Sequence, residues 1–400
     1  MKKASCDVLI IGAGAAGVVS ALYASKIGLK TILVERESKI GKHTTTKVDV
    51  TESTDIEKIF DELELPYLAK NNSSVWYSRN HQFRLQSKVA DFVIKRGPEK
   101  DSFENIIVNK AKRNGCEVFL NSTLDFTSIS ETSCVVHRKN EEIEITFKYL
   151  IIASGFNSKF FEKHGIKEKN QILICGYGKI LKDLDMPLNT TFVFFDSKIV
   201  PGGYFYMVKT KSIESACIVF PKPTPRMKMS AAYNEFIKKN KNLKKIIKNG
   251  KTISDFVGAS KAADITKRSF GNKILVGDAA RLLDPLFGYG VRQAILSGYN
   301  AISSIIKYSK NKEVSLQYDK SLESLLMEFK YARNGRKILE VMTNKDIDNV
   351  FEFLEEISKS KSIDSLIENP ILAGYLALKY SVVKPKFRST IKKSIKRLIF

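Results

Sequence analysis

The sequence contains few of the residues from which disulfide frameworks and metal sites are built. Five cysteines are scattered over 400 residues without a C-x-x-C pair, and only four histidines occur, none at a metal-ligand spacing. This pattern excludes a disulfide scaffold and a zinc site, predicts no metal ligands, and favours a reducing, cytosolic compartment. The cysteines are Cys6, Cys116, Cys134, Cys175 and Cys217.

Long apolar runs are also lacking. The nearest candidate, residues 371–383, is too short to cross a bilayer and includes Lys379. The chain leads from Met1 directly into a strand pattern, without the features of a signal peptide. We therefore expect a cytoplasmic protein whose membrane contact is peripheral.

Acidic residues are too few to balance the basic ones. The chain has 66 Lys and Arg against 43 Asp and Glu, which gives a formal net charge of +23. Such an excess predicts an acidic partner: nucleic acid, an anionic membrane surface or a phosphate-bearing substrate. A lysine-rich surface that is simply solvated is the alternative.

What the sequence does contain begins with a dinucleotide-binding fingerprint. Residues 8–11 form an apolar, β-branched run typical of a buried parallel strand, and G-x-G-x-x-G follows at 12–17. The glycines allow a tight turn, close approach of a pyrophosphate, and packing of the next helix on the sheet. A second predicted strand, residues 31–34, ends at an acid that can bind an adenosine ribose. The predicted contacts are Gly12, Gly14, Ala15, Ala16, Gly17, Glu35 and Arg36.

Two later segments return to the same predicted sheet and select FAD over NAD. Residues 149–152 form an apolar strand that ends in the turn Ala153-Ser154-Gly155, and residues 274–277 form another that ends at Asp278. An aspartate there can accept a hydrogen bond from a ribityl hydroxyl, and NAD has no ribityl chain. The alternative is a plain strand–turn–helix connection. Gly155 and Asp278 are predicted cofactor contacts.

The stretch after Asp278 predicts a wall for the flavin ring. Pro285, Gly288 and Gly290 permit a tight loop whose backbone can lie against a ring system. A helix predicted from Val291 would direct its N-terminal N–H groups toward that loop. A helix N-terminus stabilises the negative charge of a reduced flavin. These four residues complete the predicted cofactor contacts on this side.

Three motifs together resemble one group of flavoproteins. GAGAAG at 12–17, Glu35 and GDAARLLDPLFGYG at 277–290 resemble FAD-dependent oxidoreductases with the p-hydroxybenzoate hydroxylase fold. Within that group, the GDAA turn, the P-x-x-G-x-G loop and the following helix are similar to the geranylgeranyl reductase family, over roughly residues 1–301. That family hydrogenates isoprenoid double bonds, including those of archaeal membrane lipids. The resemblance implies FAD as cofactor and an apolar isoprenoid or lipid substrate.

The resemblance also implies contacts of individual residues. VIKR at 93–96 resembles the family's V-x-R element, which makes Arg96 a candidate FAD contact; a surface arginine at a helix start is the alternative. PGGYFY at 201–206 resembles the start of the family's PGGY-x-W-x-FP signature, with Tyr206 where tryptophan is usual and Val208 interrupting the Phe-Pro step.

Two further departures concern the family's cofactor side. Ser154 replaces the aspartate of the usual A-D-G turn, so the customary carboxylate is missing there. Residues 43–50 contain neither the cysteine nor the glycine that the family commonly carries after the second strand. We expect FAD binding to survive both changes, whereas they leave the exact reaction open.

The chain is predicted to be an α/β protein, α+β overall. A Rossmann-type FAD-binding domain comprises residues 1–66, 93–165 and 259–306. An antiparallel-sheet substrate domain is inserted as residues 67–92 and 166–258, and a helical C-terminal region covers 307–400. Aromatic residues of the inserted sheet offer apolar surface to a large substrate, or else fill the core of that sheet. The predicted substrate contacts are Trp76, Tyr204 and Tyr206.

Two segments are strongly basic. Residues 233–251 form one predicted helical segment, and residues 384–400 carry seven basic residues and no acid. If 384–400 is helical, its apolar residues follow one face, which is typical of an interfacial helix on an anionic membrane. A solvated tail and a partner-docking helix are the alternatives. Nucleic acid is not expected, because no binding module or regular aromatic–basic interleaving is present.

We predict an FAD-dependent reductase that hydrogenates carbon–carbon double bonds of a polyprenyl or isoprenoid-lipid substrate at a membrane surface. A flavin-dependent monooxygenase or halogenase is the first alternative, although Trp76 is not in the W-x-W-x-I-P segment of halogenases. A non-catalytic, membrane-associated FAD-binding protein is the second. No second G-x-G-x-x-G is present, so electrons would come from transiently bound NAD(P)H or from an electron-donor protein. The sequence identifies no catalytic residue for the proton transfer.

Overall fold

The computed structural model describes residues 1–42, 47–51, 55–139, 141–156, 159–311 and 313–358, with the backbone alone at 86–90, 311, 357 and 358. The predicted membrane-binding tail at 384–400, the apolar stretch at 371–383 and residues 43–46 lie outside these ranges. Within them, no helix is long and apolar enough to cross a membrane. The architecture is mixed α/β with two sheets, which confirms the predicted fold class.

The elements alternate along the chain as follows. The strands are β1 (Lys2–Ile11), β2 (Thr31–Val34), β3 (Val48–Thr51), β4 (Ala69–Tyr77), β5 (Gln82–Lys95), β6 (Glu117–Phe119), β7 (Ser122–Leu124), β8 (Ser133–Arg138), β9 (Glu141–Ile152), β10 (Lys169–Lys182), β11 (Thr190–Phe194), β12 (Tyr204–Lys209), β13 (Glu214–Phe220), β14 (Lys251–Asp264), β15 (Ser269–Phe270) and β16 (Lys273–Leu275). The α-helices are α1 (Ala15–Lys26), α2 (Glu57–Leu63), α3 (Phe103–Arg113), α4 (Lys159–His164), α5 (Arg226–Lys239), α6 (Lys241–Ile247), α7 (Val291–Tyr308), α8 (Val314–Ser321), α9 (Glu323–Leu339) and α10 (Asn344–Ser358).

Contacts within the chain define two compact units. Unit 1 consists of Met1–Tyr67, Ile94–Leu173 and Ser260–Phe329. Unit 2 consists of Leu68–Val93, Ile174–Ala259 and Lys330–Phe400, of which the structure describes residues up to 358. The assignment of a cofactor role to unit 1 and a substrate role to unit 2 stays a prediction.

Unit 1 is built on a sheet in the order β15-β16-β9-β1-β2-β6. β1 lies between β9 and β2 and is parallel to both, in a register that aligns Ile11 with Val34 and with Ile152. β16 pairs in parallel with β9, and β6 with β2. Parallel strands present their carboxyl ends at one edge of a sheet, where ligands of such folds bind. The residues that follow these strand ends are Gly12, Glu35, Ala153 and Val276.

The helix after β1 is apolar on all its faces, as a helix covered on every side must be. Residues 15–25 of α1 are buried, and α1 packs against α3 and α7. The contact with α7 is close because Gly298 has no side chain, and the Ser20 hydroxyl donates to the Gly298 carbonyl at 3.1 Å. α1 and α7 therefore pack directly against each other.

Unit 2 is built on a sheet in the order β14-β10-β13-β12-β11-β4-β5. β12 is antiparallel to both of its neighbours, while β11 is parallel to β4. α5 packs on this sheet through Tyr233 and Phe236, whose rings lie 5.0 and 5.3 Å from that of Phe205. Apart from Met227 and Ala231, the exposed positions of the helix are polar, so α5 has the expected pattern of a surface helix.

Two local predictions were wrong. Residues 233–251 do not form one helix, because the Asn240 side chain accepts a hydrogen bond from the Leu243 N–H and starts α6, and Lys251 begins β14. The strand expected to reach Gly277 ends at Leu275, since Gly277 has a positive φ of 56° and opens a 3-10 turn. Local turn chemistry overrode the apolar pattern in both places.

Candidate cofactor-binding site

The glycine-rich turn of unit 1 leaves room for a ligand at one of its three glycines. Gly12 has a φ of 103°, and a Cβ there would overlap the Ala153 carbonyl. A Cβ at Gly17 would overlap the Gly12 carbonyl, so this glycine is required for packing. At Gly14, by contrast, no described atom lies within 4 Å of the Cβ position. The open side of Gly14 is where a pyrophosphate can approach the backbone.

The N-terminus of α1 supplies hydrogen-bond donors at the same place. Within the described structure, no side chain caps this helix at Gly14. The first N–H groups of a helix have no partner inside the helix and carry the positive end of its dipole. An uncapped N-terminus beside an open glycine is a ready site for a phosphate group.

Glu35 is held at the end of β2 by backbone donors. Its Oε2 accepts a hydrogen bond from the Ala13 N–H at 2.8 Å, and its Oε1 accepts one from the Glu37 N–H at 3.0 Å. These bonds fix the carboxylate next to the glycine-rich turn. Arg36 behaves differently, because its side chain is exposed and lies 3.5 Å from the Glu37 carboxylate.

Asp278 lies on the 3-10 turn formed by Gly277–Ala280. Its Oδ2 accepts a hydrogen bond of 2.6 Å from the Ser260 hydroxyl, and no described residue donates to its Oδ1. Burial raises the pKa of Asp278, although Ser260, Arg96 and Arg281 act in the opposite direction. The turn therefore presents one carboxylate oxygen that is available to a ligand hydroxyl.

A buried ionic network also holds the turn formed by Gly277–Ala280. The guanidinium of Arg281 donates to the Asp278 carbonyl at 2.9 Å and to the Glu168 carboxylate. Glu168 also pairs with Lys261 at 2.7 Å, and the Arg281 guanidinium lies 4.2 Å from the centre of the Phe161 ring. Burial by itself raises the pKa of Glu168, but the two cations lower it below the usual range. The network offsets the left-handed backbone of Arg281, which has a φ of 60°.

The loop between Asp278 and α7 is also fixed by the chain itself. Asp284 Oδ1 accepts hydrogen bonds from the N–H groups of Leu286 and Phe287, at 3.0 and 2.5 Å, and the Asp284 N–H donates to the Tyr289 carbonyl at 2.8 Å. Gly288 has a φ of 81°, a conformation that suits glycine. The loop is thus preorganised as a backbone wall.

The N-terminus of α7 follows this wall directly. Within the described structure no side chain caps it at Gly290, and its first turn contains no acid. The Arg292 side chain is buried and binds Asp55 and Glu328, each through a contact of 2.8 Å. Burial alone would lower the pKa of Arg292, but these carboxylates raise it above the ordinary value. The helix that begins at Val291 is therefore anchored through Arg292, and its N-terminus at Gly290 is uncapped.

Arg96 is not a surface residue. Its Nε donates to Glu104 at 2.7 Å and its Nη1 to Asp49 at 3.0 Å, and the Glu104 side chain is fully buried. Burial alone would lower the pKa of Arg96, but Glu104 and Asp49 raise it above the ordinary value. The charge of Arg96 also lowers the pKa of Asp278. The alternative of an exposed arginine was wrong, and direct FAD contact stays a prediction.

Comparison with known proteins identifies the cofactor. The sequence model of a family described as FAD binding domain matches residues 5–320. The chain belongs to this FAD-binding family. The match spans the whole of the glycine-rich turn, Glu35, the GDAA turn and α7. FAD is therefore the cofactor of this protein, as the motifs predicted.

Three curated relatives show which kinds of enzyme the chain is similar to. A digeranylgeranylglycerophospholipid reductase of Thermoplasma acidophilum is 25% identical over 397 residues, covering 90% of this chain and 95% of its own. The reductase of the same name from Methanocaldococcus jannaschii is 25% identical over 398 residues, covering 94% and 97%. A 1H-pyrrole-2-carbonyl-(peptidyl-carrier protein) chlorinase of Pseudomonas fluorescens is 26% identical over 376 residues, covering 83% and 81%.

Solved structures share the fold. A geranylgeranyl bacteriochlorophyll reductase-like protein from Thermoplasma acidophilum superposes with a TM-score of 0.77 at 21% identity, covering 99% of this chain and all of its own. The flavin-dependent brominase Bmp2 superposes with a TM-score of 0.66 at 18% identity, covering 98% and 100%. The chain is an FAD-dependent oxidoreductase similar to geranylgeranyl reductases, and the non-catalytic alternative is not retained.

The turn after β9, together with Asp278, offers polar atoms and open space that suit FAD. The Ser154 hydroxyl is buried without a hydrogen-bond partner among the described residues, at the turn beside the glycine-rich loop. Gly155, next to it, has a φ of 78° and no described atom within 4 Å of its Cβ position. With Asp278 Oδ1, these features supply polar atoms and space that fit FAD, so the loss of the usual aspartate leaves a site that can still bind.

Several residues of the site were missed by sequence reasoning. Ser260 lies in β14, a strand that was not predicted, and Glu168 is 113 residues from Arg281 in sequence. No local pattern marks either residue. Asp49 and Glu104 likewise meet Arg96 only through the fold.

The predicted substrate residues lie in unit 2. Trp76 stacks between Phe83 and Phe195 at centroid distances of 6.0 and 5.7 Å, and its indole N–H donates to the Ser74 hydroxyl at 2.8 Å. Tyr204 is only 2% exposed, whereas Trp76 and Tyr206 are partly exposed. Packing thus accounts for Tyr204, and substrate contact stays a prediction for all three.

Proposed function

We propose that this FAD-dependent oxidoreductase hydrogenates carbon–carbon double bonds of a polyprenyl or isoprenoid-lipid substrate at a membrane surface. The single observation that carries the proposal is the match, over nine tenths of the chain, to digeranylgeranylglycerophospholipid reductases. The matches include nearly the full length of those reductases, so both units have counterparts in them.

The residues of unit 1 would bind FAD in a defined order. Glu35 would accept hydrogen bonds from the adenosine ribose, and the N-terminus of α1 beside Gly14 would bind the pyrophosphate. Asp278 would bind a ribityl hydroxyl through Oδ1. The backbone from Pro285 to Gly290 would line the ring, with the start of α7 near its anionic side. FAD itself supplies the hydride-transfer chemistry.

The partly exposed aromatic residues of unit 2 support an apolar substrate. Trp76 and Tyr206 are partly exposed, whereas Phe195 and Tyr204, whose ring centroids lie 6.1 Å apart, are buried. A rigid aromatic surface binds alkyl chains at a low cost in conformational entropy. We assign substrate contact to Trp76 and Tyr206, and a supporting role to Tyr204.

The location and the electron source complete the proposal. We place the protein in the cytoplasm, attached to the membrane from outside the bilayer through the basic segment at 384–400. Electrons would come from NAD(P)H that binds transiently or from a donor protein.

A flavin-dependent halogenase or monooxygenase is the second candidate, favoured by the chlorinase match and by the brominase fold. The two reactions differ in their co-substrates, because a halogenase consumes oxygen and halide whereas an alkene reductase consumes only reductant and protons.

The deciding experiment offers the purified, FAD-loaded protein an unsaturated digeranylgeranyl lipid under anaerobic conditions with dithionite. Mass spectrometry should show the gain of one hydrogen pair for each reduced bond. A parallel reaction with oxygen and chloride or bromide should give no halogenated or hydroxylated product. If the anaerobic reaction leaves the lipid unchanged while the aerobic one modifies an added substrate, the reductase proposal is wrong.

A further inference from the structure

A cluster of exposed positive charge lies on α5, on α6 and on the turn that leads into β14, in unit 2. Residues 237–251 contain seven lysines and no acid, arginine or aromatic residue. We define the lysine face by these lysines: Lys238, Lys239, Lys241, Lys244, Lys245, Lys248 and Lys251. All seven are exposed. This is the basic segment that the sequence singled out and that neither the cofactor nor the reaction explains.

The packing of the two helices directs the lysine face outward. Phe236, Leu243 and Ile246 are 0 to 6% exposed and form the side of the helices that packs inward. The lysines of the two helices lie at exposed positions away from this side, so solvent rather than the core surrounds their ammonium groups. The Asn240 cap that separates α5 from α6 keeps both helices on this surface.

Few carboxylates neutralise the lysine face. Among the described residues, Lys239 pairs with Glu235 at 2.5 Å, and Lys251 lies 3.9 Å from Asp183. Asp185 also lies beside α6, because its N–H donates to the Ile246 carbonyl at 2.9 Å. The other five lysines have no ion pair within the described part of the chain. A concentrated positive potential therefore remains at this surface.

The composition of the lysine face selects among anionic partners. Protein interfaces are enriched in arginine and aromatic anchors and depleted in lysine. Proteins that bind single-stranded nucleic acid stack bases on aromatic side chains, which this surface lacks. Lysine clusters without anchors are typical of attraction to the phosphates of an anionic bilayer, which needs charge density rather than specific geometry.

We infer that the lysine face of α5 and α6 docks this protein onto an anionic phospholipid bilayer, separately from the basic segment at 384–400. The choice of a bilayer rests on the proposed function, since a lipid-modifying enzyme must reach its substrate in a membrane. The surface contributes attraction without insertion, so binding should weaken steeply with ionic strength.

The test measures co-sedimentation of the full-length, FAD-loaded protein with vesicles of phosphatidylglycerol and of phosphatidylcholine. The test variant carries Lys241→Glu, Lys244→Glu, Lys245→Glu and Lys248→Glu. A matched control carries Lys112→Glu, Lys139→Glu, Lys167→Glu and Lys307→Glu, which are exposed lysines without ion pairs in the described structure, scattered over unit 1. A third variant reverses Lys392, Lys393, Lys396 and Arg397 to glutamate. The flavin absorption and far-UV circular dichroism of each variant establish that it is folded.

We expect the unmodified protein to bind phosphatidylglycerol vesicles. The four substitutions of the test variant should lower this binding by about tenfold or more, whereas those of the scattered control should change it by about twofold or less. Equal losses in test and control variants would overturn the inference, because net charge alone would then account for binding. So would loss only in the third variant, or no binding by the unmodified protein.

Two activity measurements distinguish a bilayer from a protein partner at the lysine face. If the test variant binds vesicles normally but accepts electrons more slowly from an acidic donor protein, the lysine face is a protein-docking site and the inference is wrong. Reduction of a detergent-dispersed isoprenoid lipid should be the same in the test variant and the unmodified protein. Failure of that reduction in the unmodified protein bears on the proposed function alone, because vesicle binding is measured without turnover.

Discussion

The hydroxyl of Ser260 donates a 2.6 Å hydrogen bond to Oδ2 of Asp278, across 18 residues of sequence. This bond orients the carboxylate and leaves Oδ1 without a described donor, at the turn before the loop that is predicted to line the flavin. Ser260 is the point where β14 enters unit 1, so the geometry of the predicted cofactor contact depends on a strand with no nucleotide-binding motif.

Removing this bond should weaken FAD binding. Ser260→Ala leaves Asp278 without its orienting donor, which costs about 1.5 kcal/mol, or roughly tenfold in affinity. Quenching of flavin fluorescence on titration of the apoprotein measures the dissociation constant. Ser128→Ala removes a hydroxyl that donates to the Asp125 carbonyl and accepts from the Val135 N–H, both at 2.8 Å, and should leave FAD affinity unchanged. Equal effects in both variants would contradict an orienting role for Ser260.

Gly14 and Gly17 should respond differently to alanine. The methyl group added by Gly14→Ala enters open space, so the free energy of unfolding of the apoprotein should stay the same. FAD affinity should fall by about tenfold or more, because the methyl group occupies the predicted phosphate position. Gly17→Ala would overlap the Gly12 carbonyl, and the apoprotein should lose about 2 kcal/mol despite the helix propensity of alanine. Urea unfolding and FAD titration of both variants check this. A Gly14→Ala variant that binds FAD as tightly as the unmodified protein would show that the open side is not a ligand site.

Glu168 should make stability depend on pH in the acid range. Its pKa is lowered in the folded state, so its contribution is present above the unfolded value of about 4.3 and is lost as pH falls through the folded value. Glu168→Gln should cost about 2 kcal/mol at neutral pH and flatten the acid limb of the stability curve. Because Arg281, which also donates to the Asp278 carbonyl, then loses its carboxylate partner, FAD affinity should fall as well.

A matched ion pair in unit 2 controls for this result. Glu214 lies 3.2 Å from Lys209, and its side chain is 14% exposed against 13% for Glu168. Glu214→Gln should lower stability without changing FAD affinity. Loss of FAD affinity in both variants would mean that stability alone governs cofactor binding.

The contribution of Asp278 to stability should depend on pH in the opposite sense. Burial raises its pKa, so folding favours the protonated form, and its contribution is full below the unfolded pKa of about 3.9 and is lost as pH rises through the folded value. The apoprotein of Asp278→Asn should therefore be at least as stable as the unmodified apoprotein at neutral pH, with the difference vanishing at pH of about 3. Denaturant unfolding at both pH values measures it. Lower stability of the variant at neutral pH alone would contradict the sign.

The motifs of the candidate cofactor site, and their order along the chain, could be predicted from the sequence. An apolar β-branched run, three spaced glycines and an acid after the next strand are short-range features, and each has one physical use in binding a dinucleotide. The same holds for the GDAA turn and the helix at Val291. The positions of Gly12, Gly14 and Glu35 at the strand ends could therefore be predicted without coordinates.

The helix boundaries in unit 2 were less predictable. The lysine-rich segment has a helical pattern throughout, yet Asn240 divides it because a side-chain cap competes with the backbone for the Leu243 N–H. Local chemistry of one residue outweighed the pattern of its neighbours. The pairing of β11 with β4 in parallel was similarly invisible, since strand patterns carry no information on partner direction.

The sequence by itself determined the fold class, the cofactor and the family resemblance, because these depend on residue types at fixed local spacings. Only the tertiary structure decided which groups orient the predicted cofactor contacts. Ser260 meets Asp278, Glu168 meets Arg281, and Glu104 meets Arg96, across 18, 113 and 8 residues. Buried charges and hydroxyls are stable only when the fold supplies their partners. Those partners are chosen by the packing of the whole unit, so no local pattern could name them.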